Sequence, residues 1–495
     1  MRRLNSRAPI HRLPNELLVE ILALTISTSV KRERHNLRMR FARISRDWSR
    51  VVFETPSLWT EISSIYAEGE NRAVVLRSKE YPLVVEYNQS HRWCTEELMN
   101  LAIQVAYRWK SADFRLFCSN TLDLLRSFVP LSVPQLENLT VYCSDIGGEF
   151  AVEDSIDMFS EGADRLRHID LFNVPIPWSS RLLSGLETIR IIGLNFGPSP
   201  TSSEITDVLR CCPELRSFEL VYDGEEVTHT TLDTPTEENL IHLPLLSSFT
   251  LDLNSAKTFG GVISSVRIPA STKFHLSCST RNIFSNKPNP LTTTFLSIIQ
   301  HLSKIELTIS LSAFVLSGYQ NSTNQDINIT LANYTLCDNL VYLIEGAGAE
   351  ITWLPISASI ECNNRLPFPH AADLLRRMPS IVRLELTGNS DEYIARLSHP
   401  VPNNGIRGWV LPNLKELILY YCPYNDSQLL IELSRRRHRG VDMDQGDGLR
   451  LGSPIKLEKI QVERAGQGRG TFVGPFYTAL QKLKGEEWGE NMVYE

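Results

Sequence analysis

Residues 136–143 read LENLTVYC, and the same pattern, L-x-x-Φ-x-L with Φ apolar and the last leucine often replaced, returns as LRHIDLF at 166–172, LETIRII at 186–192, LRSFELVY at 215–222 and LSSFTLDL at 246–253. Apolar and polar residues alternate in each, as in a strand with one face buried. The leading leucines Leu136, Leu166, Leu186, Leu215 and Leu246 are 30, 20, 29 and 31 residues apart, a period that signals an array of leucine-rich repeats. Looser copies flank this run: YPLVVEY from Tyr81, DFRLFC from Asp113, TKFHLSC from Thr272, LSKIELTI from Leu302, IVRLELTG from Ile381, LKELILYY from Leu414 and LEKIQVE from Leu457.

Helical segments precede several copies: SSEITDVLRCCPEL at 202–215, TTTFLSIIQHLSKI at 292–305, HAADLLRRMPSI at 370–381 and NDSQLLIELSRRR at 425–437. One strand and one helix cannot bury their own apolar faces, whereas stacked units share a core and leave a long sheet open for binding. The predicted fold class is therefore α/β: a short all-α head, then a leucine-rich-repeat-like solenoid with a curved parallel sheet over residues 81–465. A doubly wound sheet also alternates strands and helices. It would carry longer, more continuous apolar strands than these fragments.

At 495 residues the chain exceeds one ordinary core, in keeping with several domains or an elongated array. Apolar residues make up 42% and charged residues 22%, as in soluble globular proteins. The longest apolar runs, such as FLSIIQHL at 295–302, are far short of the roughly 18 residues that cross a bilayer. Glu16 and Glu20 interrupt the first apolar run, which makes it a poor signal peptide, and the expected location is cytoplasmic and/or nuclear. Nine cysteines without a C-x-x-C pair speak against a disulfide framework or a structural zinc site.

Charge is distributed unevenly. Residues 1–55 hold twelve Lys and Arg against five Asp and Glu, so the head carries +7 and the remaining chain −14. The acidic body argues against a continuous surface that tracks phosphates, so no nucleic-acid partner is expected. Within the head, Leu13, Leu17, Leu18, Ile21, Leu22 and Leu24 recur at helical spacing after Pro14. A second helix is predicted at Asn36 to Ile44 and a third at Ser45 to Phe53, with Ser45 as N-cap and Pro56 as the stop. A linking helix follows at Glu68 to Ser78.

Residues 11–62 resemble the F-box motif: Leu13-Pro14, Glu16-Leu17, Ile21-Leu22, Ile44-Ser45-Arg46, Trp48, Pro56 and Leu58-Trp59 fall in the motif's order. The stretch TISTSVKRERHNLRMRF at 25–41 is longer and more basic than in the shortest F-boxes. With its degenerate leucine-rich body, the chain is similar to F-box proteins of mushroom-forming (basidiomycete) fungi. The resemblance implies a non-enzymatic substrate receptor of an SCF-type cullin–RING ubiquitin ligase. Its F-box would dock the adaptor subunit and, through it, cullin, while the solenoid holds a protein substrate. The adaptor-binding residues it implies are Leu13, Pro14, Glu16, Leu17, Ile21, Leu22, Ile44, Trp48, Pro56, Leu58 and Trp59. The domain boundaries that follow are 8–62 for the F-box, 63–80 for the linking helix, 81–465 for the solenoid and 466–495 for a polar, frayed tail. A three-helix unit this small buries too little surface to be robust alone, which fits a piece completed by another subunit. A scaffold that carries an F-box without ligase function is the alternative.

Other motifs carry little chemistry. DMDQGDG from Asp442 lacks the bidentate Glu of a calcium loop, with Ser453 at that place. GQGRG at 466–470 lacks the G-K-[ST] of a phosphate loop. RRRHR at 435–439 reads as the polar last turn of a helix or as a nuclear-localisation element. No catalytic residue, metal or cofactor is predicted. The strand positions Arg190, Glu219, Asp252 and Glu385 are mixed polar side chains, not a dense cluster of His, Cys and carboxylates.

Overall fold

Pro14 stands just before the first helix, and its carbonyl accepts the Leu18 N–H at 3.1 Å. In this computed structural model, the described residues are 10, 13–117, 121–144, 155–193, 200–222, 240–253, 255–267, 269, 272–278, 304–309, 314–320, 325–331, 357–362, 381–388, 394–395, 397–398, 401–403, 406–420, 433, 457–463 and 493–494. Their contacts divide the chain into two units, Met1–Val227 with Leu243–Leu246, and Thr228–His242 with Ser247–Glu495.

The first unit begins with helices α1 (Asn15–Thr28), α2 (Lys31–Ala42) and α3 (Arg46–Glu54). The basic stretch expected to start a helix at Asn36 is helical from Lys31, so only Ser29 and Val30 join α1 to α2. Ser45 Oγ accepts the Trp48 N–H at 3.2 Å and fixes the start of α3. After the 3-10 turn Pro56–Leu58 come β1 (Glu61–Ser63) and α4 (Glu68–Ser78), the latter at the expected position. The fully buried Asn71 of α4 binds β1: its Oδ1 accepts the Ser63 N–H at 2.9 Å, and its Nδ2 donates to Ser63 O at 2.9 Å and Tyr66 O at 3.1 Å.

The rest of this unit is a parallel sheet with helices between its strands: β2 (Leu83–Asn88), α5 (Glu96–Gln104), β3 (Trp109–Leu116), α6 (Thr121–Arg126), β4 (Asn138–Cys143), β5 (His168–Phe172), β6 (Thr188–Gly193), α7 (Ser202–Arg210) and β7 (Ser217–Tyr222). Each strand from β1 to β7 pairs in parallel with the next one in the chain. The leading leucines set this register. Leu136, Leu166, Leu215 and Leu246 each donate their N–H to the carbonyl three residues back, a tight turn that swings the chain into the coming strand with the leucine buried. Ile169, Leu171, Ile189, Ile191, Phe218 and Leu220 then alternate into the core. At the β3 end, Trp109, Phe114, Phe128 and Phe159 close the core, with Phe114 and Phe128 ring centroids 4.7 Å apart. Thr201 and Glu204 form a reciprocal cap on α7, with bonds of 3.2 and 2.8 Å.

The second unit holds β8 (Ile241–His242), β9 (Ser248–Leu253), α8 (Ala256–Ser265), β10 (Val266–Arg267), β11 (Lys273–Cys278), β12 (Lys304–Ile309), β13 (Phe314–Gln320), β14 (Gln325–Leu331), β15 (Ser357–Cys362), β16 (Arg383–Gly388), β17 (Val401–Asn403), β18 (Ile406–Gly408), β19 (Glu416–Tyr420), β20 (Lys459–Glu463) and β21 (Val493–Tyr494). Its main sheet runs β9-β11-β14-β13-β12-β15-β16-β19-β20-β21. Most neighbours are parallel, but β13 is antiparallel to both β12 and β14, and β14, not β12, lies beside β11. The expected parallel sheet is interrupted in this unit by the one antiparallel strand β13. Four residues separate β12 from β13 and β13 from β14, enough for a reversal but too few for a parallel crossover.

Within the tail expected to be frayed, Val493–Tyr494 lies beside Gln461–Val462. Sheet-edge pairing needs backbone groups only, whatever the side chains. The helices expected at 292–302, 370–380 and, apart from Leu433, 425–437 lie outside the described residues. The same holds for the motifs at 435–439, 442–448 and 466–470.

Candidate protein-interaction surfaces

Helix α1 carries two apolar stripes. Leu18, Leu22 and Ile26, four residues apart, are buried in the head, whereas Leu17, Ile21 and Leu24 remain 46, 43 and 66% exposed. At 100° per residue the two stripes sit roughly 130° apart on the helix. A helix packed only within its own domain buries one stripe and turns polar residues outward. Here the outward stripe is apolar, with Pro14, Glu16 and Glu20 also in solvent. Val30 and Ile44 add two more exposed apolar side chains in the head.

The eleven residues implied by the motif therefore fall into two groups. Pro14, Glu16, Leu17, Ile21 and Ile44 are exposed, and Leu13 and Pro56 are half-buried. Leu22, Trp48, Leu58 and Trp59 are buried and offer no surface; they hold the head together. Trp59 is fully buried, and its Nε1–H donates to Val52 O at 2.7 Å.

Around Trp59 the head is unexpectedly cationic. The Arg38 and Arg77 guanidiniums lie 5.4 and 4.7 Å from the Trp59 ring centroid, Arg77 is also 4.0 Å from that of Phe53, and His35 meets Trp59 edge-on at 6.1 Å. Glu61 is paired with Arg34 at 2.9 and 3.1 Å and accepts from the Tyr66 hydroxyl at 3.2 Å. The His35 Nε2 is 3.6 Å from Glu70. Among the described residues, buried nitrogens of His35 (Nδ1), Arg38 (Nε, Nη1) and Arg77 (Nη1) find no hydrogen-bond partner. Burial pushes the His35 imidazole below its ordinary pKa, and Arg38 and Arg77 push the same way against Glu70. Sequence reading missed this cluster, because RERHNLR looks like a solvated basic face.

A second surface is the sheet face of the first unit opposite its core. Register places Glu86, Asp113, Thr140, Asp170, Arg190 and Glu219 side by side across β2 to β7. Two residues on, Asn88, Arg115, Tyr142, Phe172, Ile192 and Val221 form a parallel row. Arg190 bridges Asp170, at 3.1 and 3.2 Å, and Glu219, at 3.0 Å. Lys31 of α2 reaches Glu86 at 2.9 Å. The Tyr142 and Phe172 rings stack at 4.3 Å and 14°, with Phe117 continuing the run 5.9 Å from Tyr142. From β4 to β7 these rows lie four and six residues after each leading leucine, so the repeat register carried the signal.

Among the described residues no group of three or more His, Cys, Asp or Glu converges to hold a metal. Among the same residues no helix is long and apolar enough to cross a membrane. No family model matches the chain, and a comparison with curated proteins finds no similar one.

Proposed function

We propose that the chain is the substrate receptor of an SCF-type ubiquitin ligase: an F-box head bound to the adaptor subunit, and a leucine-rich-repeat solenoid that holds a protein substrate. The observation that carries this reading is the second apolar stripe of α1. Leu17, Ile21 and Leu24 stand in water on a helix whose core needs are already met by Leu18, Leu22 and Ile26. Covering side chains that are about half exposed gains on the order of 1 kcal/mol each before ordering costs. The consecutive parallel strands of the first unit support the solenoid, since stacked repeats pair each strand with the next.

Co-purification of the full chain with an SCF adaptor tests the reading. Wild type retains adaptor and, through it, cullin; Leu17→Asp with Ile21→Asp loses both. Equal retention by the variant removes α1 as the docking face. Adaptor without cullin favours the scaffold reading, and neither partner on wild type overturns the F-box assignment.

A further inference from the structure

Helix α2 carries two opposed sets of basic residues. Lys31, Arg34, His35 and Arg38 lie within about 100° of one another around the helix and are taken up by the rest of the unit. Lys31 pairs with Glu86 and Arg34 with Glu61, His35 faces Glu70, and Arg38 is buried beside Trp59. Arg32, Asn36, Arg40 and Arg43 lie on the opposite side within about 80°. All four are exposed. Arg43 ends the helix at φ −87° and ψ −5°, still right-handed, so it continues the line, which runs about 16 Å along the axis. Arg46, exposed at the start of α3, stands three residues further on, across the turn that Ser45 caps. Unlike the inward set, Arg32, Arg40, Arg43 and Arg46 make no ion pair among the described residues. Glu33 and Asp47 adjoin them in sequence and are exposed, yet pair with none of them. Cations suit the carbonyl end of α2, but four guanidiniums against two carboxylates leave this ridge positive and unmatched.

We infer that this ridge docks an acidic segment of a protein partner, with Asp or Glu at alternate positions of an extended chain. Same-facing residues of such a chain are about 6.6 Å apart, close to the roughly 6 Å that separates Arg32, Asn36 and Arg40 along the axis. Free guanidiniums hold carboxylates through paired N–H bonds, and the Asn36 amide donates as well. The ridge is short, and the chain beyond residue 55 totals −14. A polynucleotide would overrun the ridge and meet that acidic remainder, whereas a short acidic segment ends where the ridge ends. The docking weakens as salt rises. The inference goes beyond the receptor reading and does not rest on it.

The test measures fluorescence anisotropy of a labelled peptide of alternating Glu and Ser on the full chain, beside a peptide of alternating Gln and Ser. The Glu peptide binds and the Gln peptide does not. Arg40→Glu with Arg43→Glu weakens the Glu peptide about tenfold or more. Arg72→Glu with Arg210→Glu makes the same change of charge at exposed residues elsewhere and leaves the affinity as it was. Circular dichroism melting verifies that each variant folds, and Arg40→Gln with Arg43→Gln decides if the Glu pair does not. No binding of the Glu peptide, or an equal loss in the distant pair, overturns the inference. So does displacement of the peptide at lower concentration by single-stranded RNA, or by equimolar phosphatidylserine and phosphatidylcholine vesicles, than by unlabelled Glu peptide. Leu17→Asp separates the two readings: peptide binding that persists while adaptor is lost, or on a wild type that never binds adaptor, leaves the ridge standing.

Discussion

Leu17 and Leu18 are neighbours in one helix with opposite fates: Leu18 packs into the head at 5% exposure, and Leu17 stays 46% exposed. The pair separates what holds the head together from what it leaves in solvent. Leu22→Ala, on Leu18's side, is expected to destabilise the first unit by about 2–5 kcal/mol through lost transfer energy and a cavity. Leu17→Asp should shift stability by about 0.5 kcal/mol or less while it removes adaptor binding. Urea unfolding followed by tryptophan fluorescence, read beside the co-purification, checks both. A large loss of stability on Leu17→Asp would mean that this stripe is core.

His35 gives the head a pH dependence. Its folded pKa lies below the ordinary value because burial, Arg38 and Arg77 disfavour the imidazolium more than Glu70 favours it. The unfolded chain therefore takes up a proton first as pH falls. Stability that is intact above the ordinary histidine pKa, about 6.5, drops as pH falls towards the folded pKa and then levels off. His35→Gln, which cannot titrate, should flatten this part of the profile. Melting temperatures of wild type and variant across pH 5 to 8, about the ordinary histidine range, measure it. Parallel profiles would rule out His35 as the cause.

Asn71 is expected to be among the most sensitive polar positions. Its side chain satisfies the Ser63 N–H and two backbone carbonyls in a fully buried setting. Asn71→Ala takes this partner from the Ser63 N–H and the Tyr66 carbonyl, at about 1–3 kcal/mol for each one that stays dry, whereas the Ser63 carbonyl keeps the Tyr66 N–H at 3.1 Å. Hydrogen exchange should show the Ser63 amide losing protection along with its β1 neighbours. Exchange unchanged at Ser63 would show that the backbone has found another partner.

What the sequence made legible follows from how each feature is encoded. The leading leucines and alternating strands were readable because burial recurs with the repeat; Leu136, Leu166, Leu186, Leu215 and Leu246 are all buried at the turn into the next strand. The linking helix and the α3 cap were readable because their signals are local. The β13–β14 reversal was not, since FVLSGYQ and QDINITL carry no leading leucine and lie off the repeat period. Nor was the burial of Arg38, because which face of a basic helix meets Trp59 is settled by tertiary packing. The motif named adaptor-binding residues without separating surface from core. That division came from the position of each side chain around α1.

Arg190 and Ile189 test the two faces of the sheet at adjacent positions in β6. Ile189 is fully buried, and Ile189→Ala should cost about 2–5 kcal/mol. Arg190 bridges Asp170 and Glu219, yet its side chain keeps 42% of its exposure and the acids keep 38 and 34%. Screening by water holds such pairs to about 1 kcal/mol or less, so Arg190→Met should unfold within that margin of wild type and differ from it less at high salt. Urea midpoints at low and high salt read the effect. A loss comparable to that of Ile189→Ala would show that the ion bridge supports the sheet.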